Sequence, residues 1–112
     1  MDKIARYAQA IRGLLKEYAA IKKSITPDIR TEMLIDSEHH HYQLLSIGWH
    51  KQQFHYVVAF HFDIIGEKIW IQQNNTDVMV ANELMERGVA QSDIVLGFVS
   101  PKARAFSEFA VA

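Results

Sequence analysis

Between residues 42 and 73 the chain alternates apolar and polar positions with a period of two, broken by two short turns, and reads as three strands of a β-meander. In the first of these, Leu45, Ile47 and Trp49 share one face while Tyr42, Leu44, Ser46 and Gly48 share the other. In the next, the same spacing sets Tyr56, Val58, Phe60 and Phe62 against His55, Val57, Ala59, His61 and Asp63. Ile65-Gly66-Glu67 supplies a tight turn, after which Ile69 and Ile71 oppose Lys68, Trp70 and Gln72. An earlier run, with Ile29, Thr31, Met33 and Ile35 alternating with Arg30, Glu32, Leu34 and Asp36, adds a strand whose wetter side fits a sheet edge.

Ahead of the strands the period changes. Behind Asp2, an N-cap residue, Ile4, Tyr7, Ala8, Ile11, Leu14, Leu15, Tyr18 and Ile21 recur at three- and four-residue steps, predicting one long amphipathic helix. Gly13 costs that helix about 1 kcal/mol relative to alanine, which a packed apolar stripe offsets. Pro27 biases Thr26 away from helix and marks the boundary within the connector at residues 24–28. After the meander, Thr76 is expected to cap a short helix running to Arg87, with Val80, Ala81 and Leu84 buried, Glu83 paired to Arg87, and Gly88 as the left-handed stop. Residues 94–99 read as a short apolar strand, Ser100-Pro101 opens a helical turn, and the apolar residues 106–112 are expected to pack against the domain or a partner. The predicted fold is α+β: an antiparallel four-stranded β-meander packed with a long N-terminal helix and shorter C-terminal helices, a single domain over residues 1–112.

Neither face of this meander is cleanly polar, as the solvent side of a monomeric sheet normally is. Two apolar faces need two covers, one from the chain's own helices and one from another polypeptide, so a homodimer is expected. The contact residues this reading selects are Leu45, Ile47, Trp49, Trp70, Phe106, Phe109 and Val111.

Composition narrows the classes. Apolar residues make up 49% and charged residues 22%, the balance of a folding domain rather than a disordered one. The formal charge of −1 excludes a globally basic nucleic-acid binder, yet residues 1–23 carry six basic and two acidic side chains, net +4, against −5 for the rest. Direct DNA contact through Lys3, Arg6, Arg12, Lys16, Lys22 and Lys23 is therefore the alternative to a solvated helix face. The chain has no cysteine and no apolar run near the ~20 residues of a membrane span, and a cytoplasmic location is expected.

Candidate chemistry is sparse. All six histidines fall between His39 and His61. His39, His40 and His41, with Asp36, Glu38 and Asp63 nearby, have the side chains of a metal site but not a recognised ligand spacing, because consecutive residues diverge, and no metal is predicted. His61 and Asp63 stand on one side of a strand at a spacing that orients an imidazole for general-base work. A small metal-dependent enzyme around that pair is the third reading, but no nucleophile completes it, and a satisfied hydrogen bond is the simpler expectation. A metal-assisted nuclease needs an acidic residue followed, after a second strand, by Glu-x-Lys, whereas Glu67 and Lys68 are adjacent. No phosphate-cradling glycine loop is present, and no cofactor is predicted.

The run DSEHHHYQLLSIGW at residues 36–49, the strand HFDI at 61–64, KIWIQQNNTD at 68–77 and NELMERGVAQSDIVLGFVSPKARAFSEFAVA at 82–112 resemble the XisI family, the excision-controlling factors named for the fdxN element. Two departures, the histidine triplet and Val99, keep any histidine role from being carried over. The resemblance implies a non-enzymatic accessory protein. It implies action together with a companion, XisH, while a separate site-specific recombinase removes a DNA element from a nitrogen-fixation operon during heterocyst differentiation. An XisH-like protein is thus the expected partner, with DNA contacted indirectly or weakly.

Overall fold

The computed structural model of the chain describes residues 2–25 and 28–112. The boundary expected at Thr26 and Pro27 lies outside the described residues, as does the side chain of Lys23. Helix α1 spans Lys3–Ile25 and starts where Asp2 Oδ1 accepts the Ala5 amide at 2.7 Å, satisfying one of the donors a helix leaves open. Its buried stripe, Tyr7, Ala10, Ile11, Leu14 and Leu15, follows the three- and four-residue spacing and lies on one face of a sheet.

That sheet has five strands in the order β1-β2-β3-β4-β5: β1 is Arg30–Asp36, β2 His41–His50, β3 Gln53–Ile65, β4 Lys68–Asn74 and β5 Ile94–Leu96. β1 to β4 are the expected four-stranded meander, and the short strand expected at residues 94–99 joins it as a fifth over Ile94–Leu96. β1 to β4 pair antiparallel through tight connections, while β5 joins β4 in parallel because the chain first returns through helix α2, Val80–Glu86, and a turn of 3₁₀-helix. The turn between β3 and β4 closes on Gly66 and Glu67, both in the left-handed region.

The inner face buries Tyr42, Leu44, Phe60, Phe62, Ile64, Ile69, Ile71 and Ile94 against α1 and α2, with Tyr18 edge-on to Phe60 at 5.7 Å. Each fully buried ring or branched aliphatic on this face contributes about 1.5–3 kcal/mol relative to exposure.

A bulge decides which aromatics join that core. Leu44 pairs with Phe60 but Leu45 pairs with Val58, so Ala59 is an extra residue in β3. Directly opposed residues share a face, and the alternation in β3 therefore changes phase at Ala59. Phe60 and Phe62 turn inward, whereas Tyr56 and Val58 turn outward with Leu45, Ile47, His61 and Asp63. Uniform alternation had placed Tyr56 and Val58 on the side of Phe60 and Phe62. A second irregularity leaves Gln72 as the extra residue in β4.

Helix α2 starts later than Thr76. Asn74 Oδ1 accepts both the amide and the hydroxyl of Thr76, at 3.0 and 2.6 Å, and Thr76 Oγ1 accepts the Val78 amide at 3.0 Å, so a side-chain-bonded turn occupies the residues expected to begin the helix. Glu83 and Arg87 do not pair with each other: Glu83 accepts the Tyr18 hydroxyl at 3.1 Å, and Arg87 meets Glu17. Gly88 stops the helix at φ +98°, donating to the Met85 carbonyl, as its position predicts.

The closing segment is held by Arg104, the last residue of α3, Pro101–Arg104. Its Nε donates to the carbonyls of Leu96 and Val99 at 3.2 and 2.9 Å, its two terminal nitrogens reach those of Gly97 and Val111, each at 3.4 Å, and its guanidinium covers the Trp70 ring at 4.9 Å. Ala110 then bridges to Val95 and donates to the Ile94 carbonyl at 2.8 Å, covering the free side of β5. Gly97 sits so close to β4, its amide 2.8 Å from the Ile71 carbonyl, that a Cβ there would fall 2.2 Å from Gln72 Oε1.

Arg104→Ala is expected to lower unfolding free energy by about 2 kcal/mol, because several charge-assisted donors to carbonyls vanish together. Urea denaturation measures this, and an unchanged midpoint would show that the closing segment is anchored by other groups.

Candidate functional site

The outer face of the sheet carries two different surfaces. At the end near the β1–β2 turn it is polar, and its centre is Asp63. Pairing of β2 with β3 sets His41 opposite Asp63, and the two-residue period sets His61 beside it. Asp63 Oδ1 accepts from His41 Nδ1 at 2.8 Å and His61 Nε2 at 3.0 Å, while Oδ2 accepts from Gln72 Nε2 at 3.1 Å. Gln43 reaches the other nitrogen of His61 at 3.4 Å. The network ties β2, β3 and β4 together across the face.

Burial pushes the Asp63 carboxyl up, but the hydrogen bonds from His41, Gln72 and His61 outweigh it and hold the group below the ordinary carboxylate value. The bond to Asp63 raises His41 in turn. Asp36, at the adjoining turn, is lowered chiefly by the His39 amide and then by the His39 ring, 2.9 Å away. A carboxylate bonded to two imidazoles and an amide fastens the three strands that carry them.

The histidine triplet diverges, because His39 and His40 lie in the β1–β2 turn, His40 with φ +61°, and His41 opens β2. His39 stacks on His41 with ring centres 6.5 Å apart, while His40 bonds the hydroxyl of buried Tyr42 at 2.9 Å. Among the described residues, no group of three or more histidine, cysteine or acidic side chains is arranged to hold a metal ion.

At the other end, the β2–β3 hairpin turns through Lys51 and Gln52, and the outer face becomes aromatic. Trp49 and Phe54 are register partners with ring centres 5.2 Å apart. Together with Tyr56 they are 62%, 54% and 58% exposed, and half-buried Ile47 adjoins them. Large rings so open on a sheet surface are the kind of patch that marks a contact site.

The residues expected to form a contact surface separate accordingly. Ile47 and Trp49 lie in the aromatic patch, but Leu45 is only 3% exposed and belongs to the subunit's own packing. Trp70 is half-buried under Arg104. Phe109 packs against the core, whereas Phe106 and Val111 are exposed on the closing segment. Sequence reasoning missed Phe54 and Tyr56; the two-residue hairpin turn at Lys51 was the signal that would have set Phe54 opposite Trp49.

The basic residues of α1 do not gather into one stripe. At 100° per residue, Arg6 and Lys22 point about 160° apart. Lys3 pairs with Asp93 at 3.2 Å, Arg12 donates to Ser37 Oγ, Arg6 lies 5.8 Å from the ring centre of Tyr7, Lys16 is exposed and Lys22 is half-buried. No described helix is long and apolar enough to cross a membrane.

The His41–Asp63 pair has a pH signature with a definite sign. His41, raised in the folded state, contributes stability that is complete below its ordinary value of 6.5 and is lost as pH rises through the raised value. Asp63, lowered, contributes above its ordinary 3.8 and loses this as pH falls through the lowered value. The melting-temperature advantage of the wild type over His41→Gln should therefore be greatest between those two ordinary values and shrink in alkaline buffer. An advantage that stays constant from mildly acidic to alkaline pH would contradict the pairing.

Comparison with known proteins agrees with this architecture. The model of the family described as XisI protein matches residues 1–111. A crystal structure of a XisI-like protein from Anabaena variabilis is 37% identical, with 99% of this chain and 100% of that chain covered, at a TM-score of 0.90. A second crystal structure, of the fdxN element excision controlling factor XisI from the same organism, is 30% identical over 99% of this chain and 100% of that chain, at 0.85. No curated protein matches the chain.

Proposed function

The chain belongs to the XisI family, and on that premise we propose that it is a non-enzymatic accessory factor for excision of a DNA element, acting by contact with an XisH-like protein. The observation that carries the reading is the aromatic patch of Trp49, Phe54 and Tyr56, exposed at the tip of the β2–β3 hairpin. Tryptophan and tyrosine dominate binding energy at protein interfaces, since each offers a large apolar body with one polar atom. An exposed cluster of three rings is costly in water and gains most by meeting another apolar surface.

The polar end of the face supports the same division of labour. Asp63 is occupied by His41, His61 and Gln72, and Lys68, which a metal-assisted nuclease would need near an acidic pair, donates to the carbonyl of Ala112. Strand cleavage and rejoining then belong to a separate recombinase, and this chain contributes recognition.

Trp49→Ala combined with Tyr56→Ala should weaken binding to a purified XisH-like protein by about a hundredfold or more, as loss of two interface rings does. The melting temperature should stay near the wild-type value, because both side chains are exposed. His61→Ala, in contrast, should leave binding intact. Isothermal calorimetry separates these cases, and undiminished affinity in the double variant would rule out the patch as the contact.

A further inference from the structure

We propose that two copies of this chain join edge to edge through β1, pairing Arg30–Asp36 antiparallel with its own counterpart to form one continuous ten-stranded sheet. The two edges of the five-stranded sheet are treated differently. The β5 edge is covered by Ala110, whereas no described strand pairs with the far side of β1. β1 is seven residues long, pairs with β2 in unbroken register, and contains neither proline nor glycine. Bulges, prolines and charged side chains are the usual means of blunting an edge; β1 has neither bulge nor proline, and its charges, Arg30, Glu32 and Asp36, are of both signs. At its centre Met33, on the inner side, and Leu34, on the outer, are 41% and 47% exposed, so no described helix or loop covers the strand there.

The charges on β1 specify what fits. Arg30, Glu32, Leu34 and Asp36 share the outer face, being register partners of Ile47, Leu45, Gln43 and His41. With Met33 opposite Met33 across a twofold axis normal to the sheet, Arg30 lies opposite Asp36 at both ends, Thr31 opposite Ile35, and Glu32 opposite Leu34. Arg30 pairs with Glu32 at 3.1 Å in its own strand and Asp36 holds His39 at 2.9 Å, so that each gains a second partner. Slipping by two residues one way opposes Glu32 to Glu32; slipping the other way opposes Glu32 to Asp36. Among these neighbouring registers that keep the outer faces together, only the Met33-centred one has opposite charges facing and no like charges facing. Charges that repel other strands thus favour this one, which is how an edge is made selective. Such a pairing satisfies the unbonded backbone groups of both edges and carries both aromatic patches on one continuous surface.

Light scattering with sedimentation velocity should give a dimer mass for the wild type at tens of micromolar. Arg30→Glu alone and Asp36→Arg alone should each raise the dimer dissociation constant about tenfold or more, since two facing pairs become repulsive. An equimolar mixture of the two variants restores both attractive pairs and should dimerise again, a result only this pairing of positions yields. A wild-type monomer, a dimer indifferent to Arg30→Glu, or a mixture that stays monomeric while both variants keep the wild-type circular dichroism spectrum would overturn the proposal. Should either variant fail to fold, Met33→Cys decides the matter, because the chain has no other cysteine. Under mild oxidation it should form a disulfide-linked dimer while Gln52→Cys remains monomeric, and the reverse pattern would overturn the pairing.

Discussion

The structure depends on a single change of phase in its longest strand. β3 has to serve α1 at one end and project beyond the core at the other, and one extra residue, Ala59, lets it do both. With Ala59 in place, Phe60 and Phe62 stack under the helix, ring centres 5.9 Å apart, while Tyr56 and Phe54 turn to the outer side. Had the alternation continued unbroken, Phe54 and Tyr56 would both have faced inward and the outer patch would have lost two of its three rings. The bulge therefore links the core to the surface, because the register that completes the core also opens the aromatic patch.

Around that register the chain places two locks. The Asp63 network joins three strands on the outer side, opposite the face that α1 covers, through charge-assisted hydrogen bonds. Arg104 does the corresponding work beyond β5, gathering the carbonyls of Leu96, Gly97, Val99 and Val111 and covering Trp70. Both locks consume groups that resemble catalytic or contact residues when seen singly. His61 bonds Asp63 in the first, and Trp70 lies under the Arg104 guanidinium in the second.

Much of this was legible in the sequence where periodicity is strong. The 23-residue helix with its Asp2 cap, the order of the first four strands, the turn at Gly66 and the stop at Gly88 all follow from local pattern and backbone preference. What was not legible depends on pairing. A bulge leaves no mark in a run such as His55 to Phe62, where nearly every residue is apolar or aromatic, so the faces of β3 were misassigned beyond Ala59. His41 was seen as one of a triplet, and its tie to Asp63 exists only through the β2–β3 register. β5 gains its place by a crossover, and Asn74 moves the start of α2 by bonding Thr76 first. The XisI resemblance, carried by residues across the chain, supplied what periodicity could not: a family with a role in DNA excision rather than a general α+β domain.

The central claim is that the hairpin tip, and not the basic helix, meets the partner. Hydrogen–deuterium exchange of the chain, free and bound to an XisH-like protein, tests it most directly. Slowed exchange in peptides covering residues 47–58, with α1 unchanged, is the predicted result; slowed exchange confined to α1, with the tip exchanging as freely as before, would contradict it.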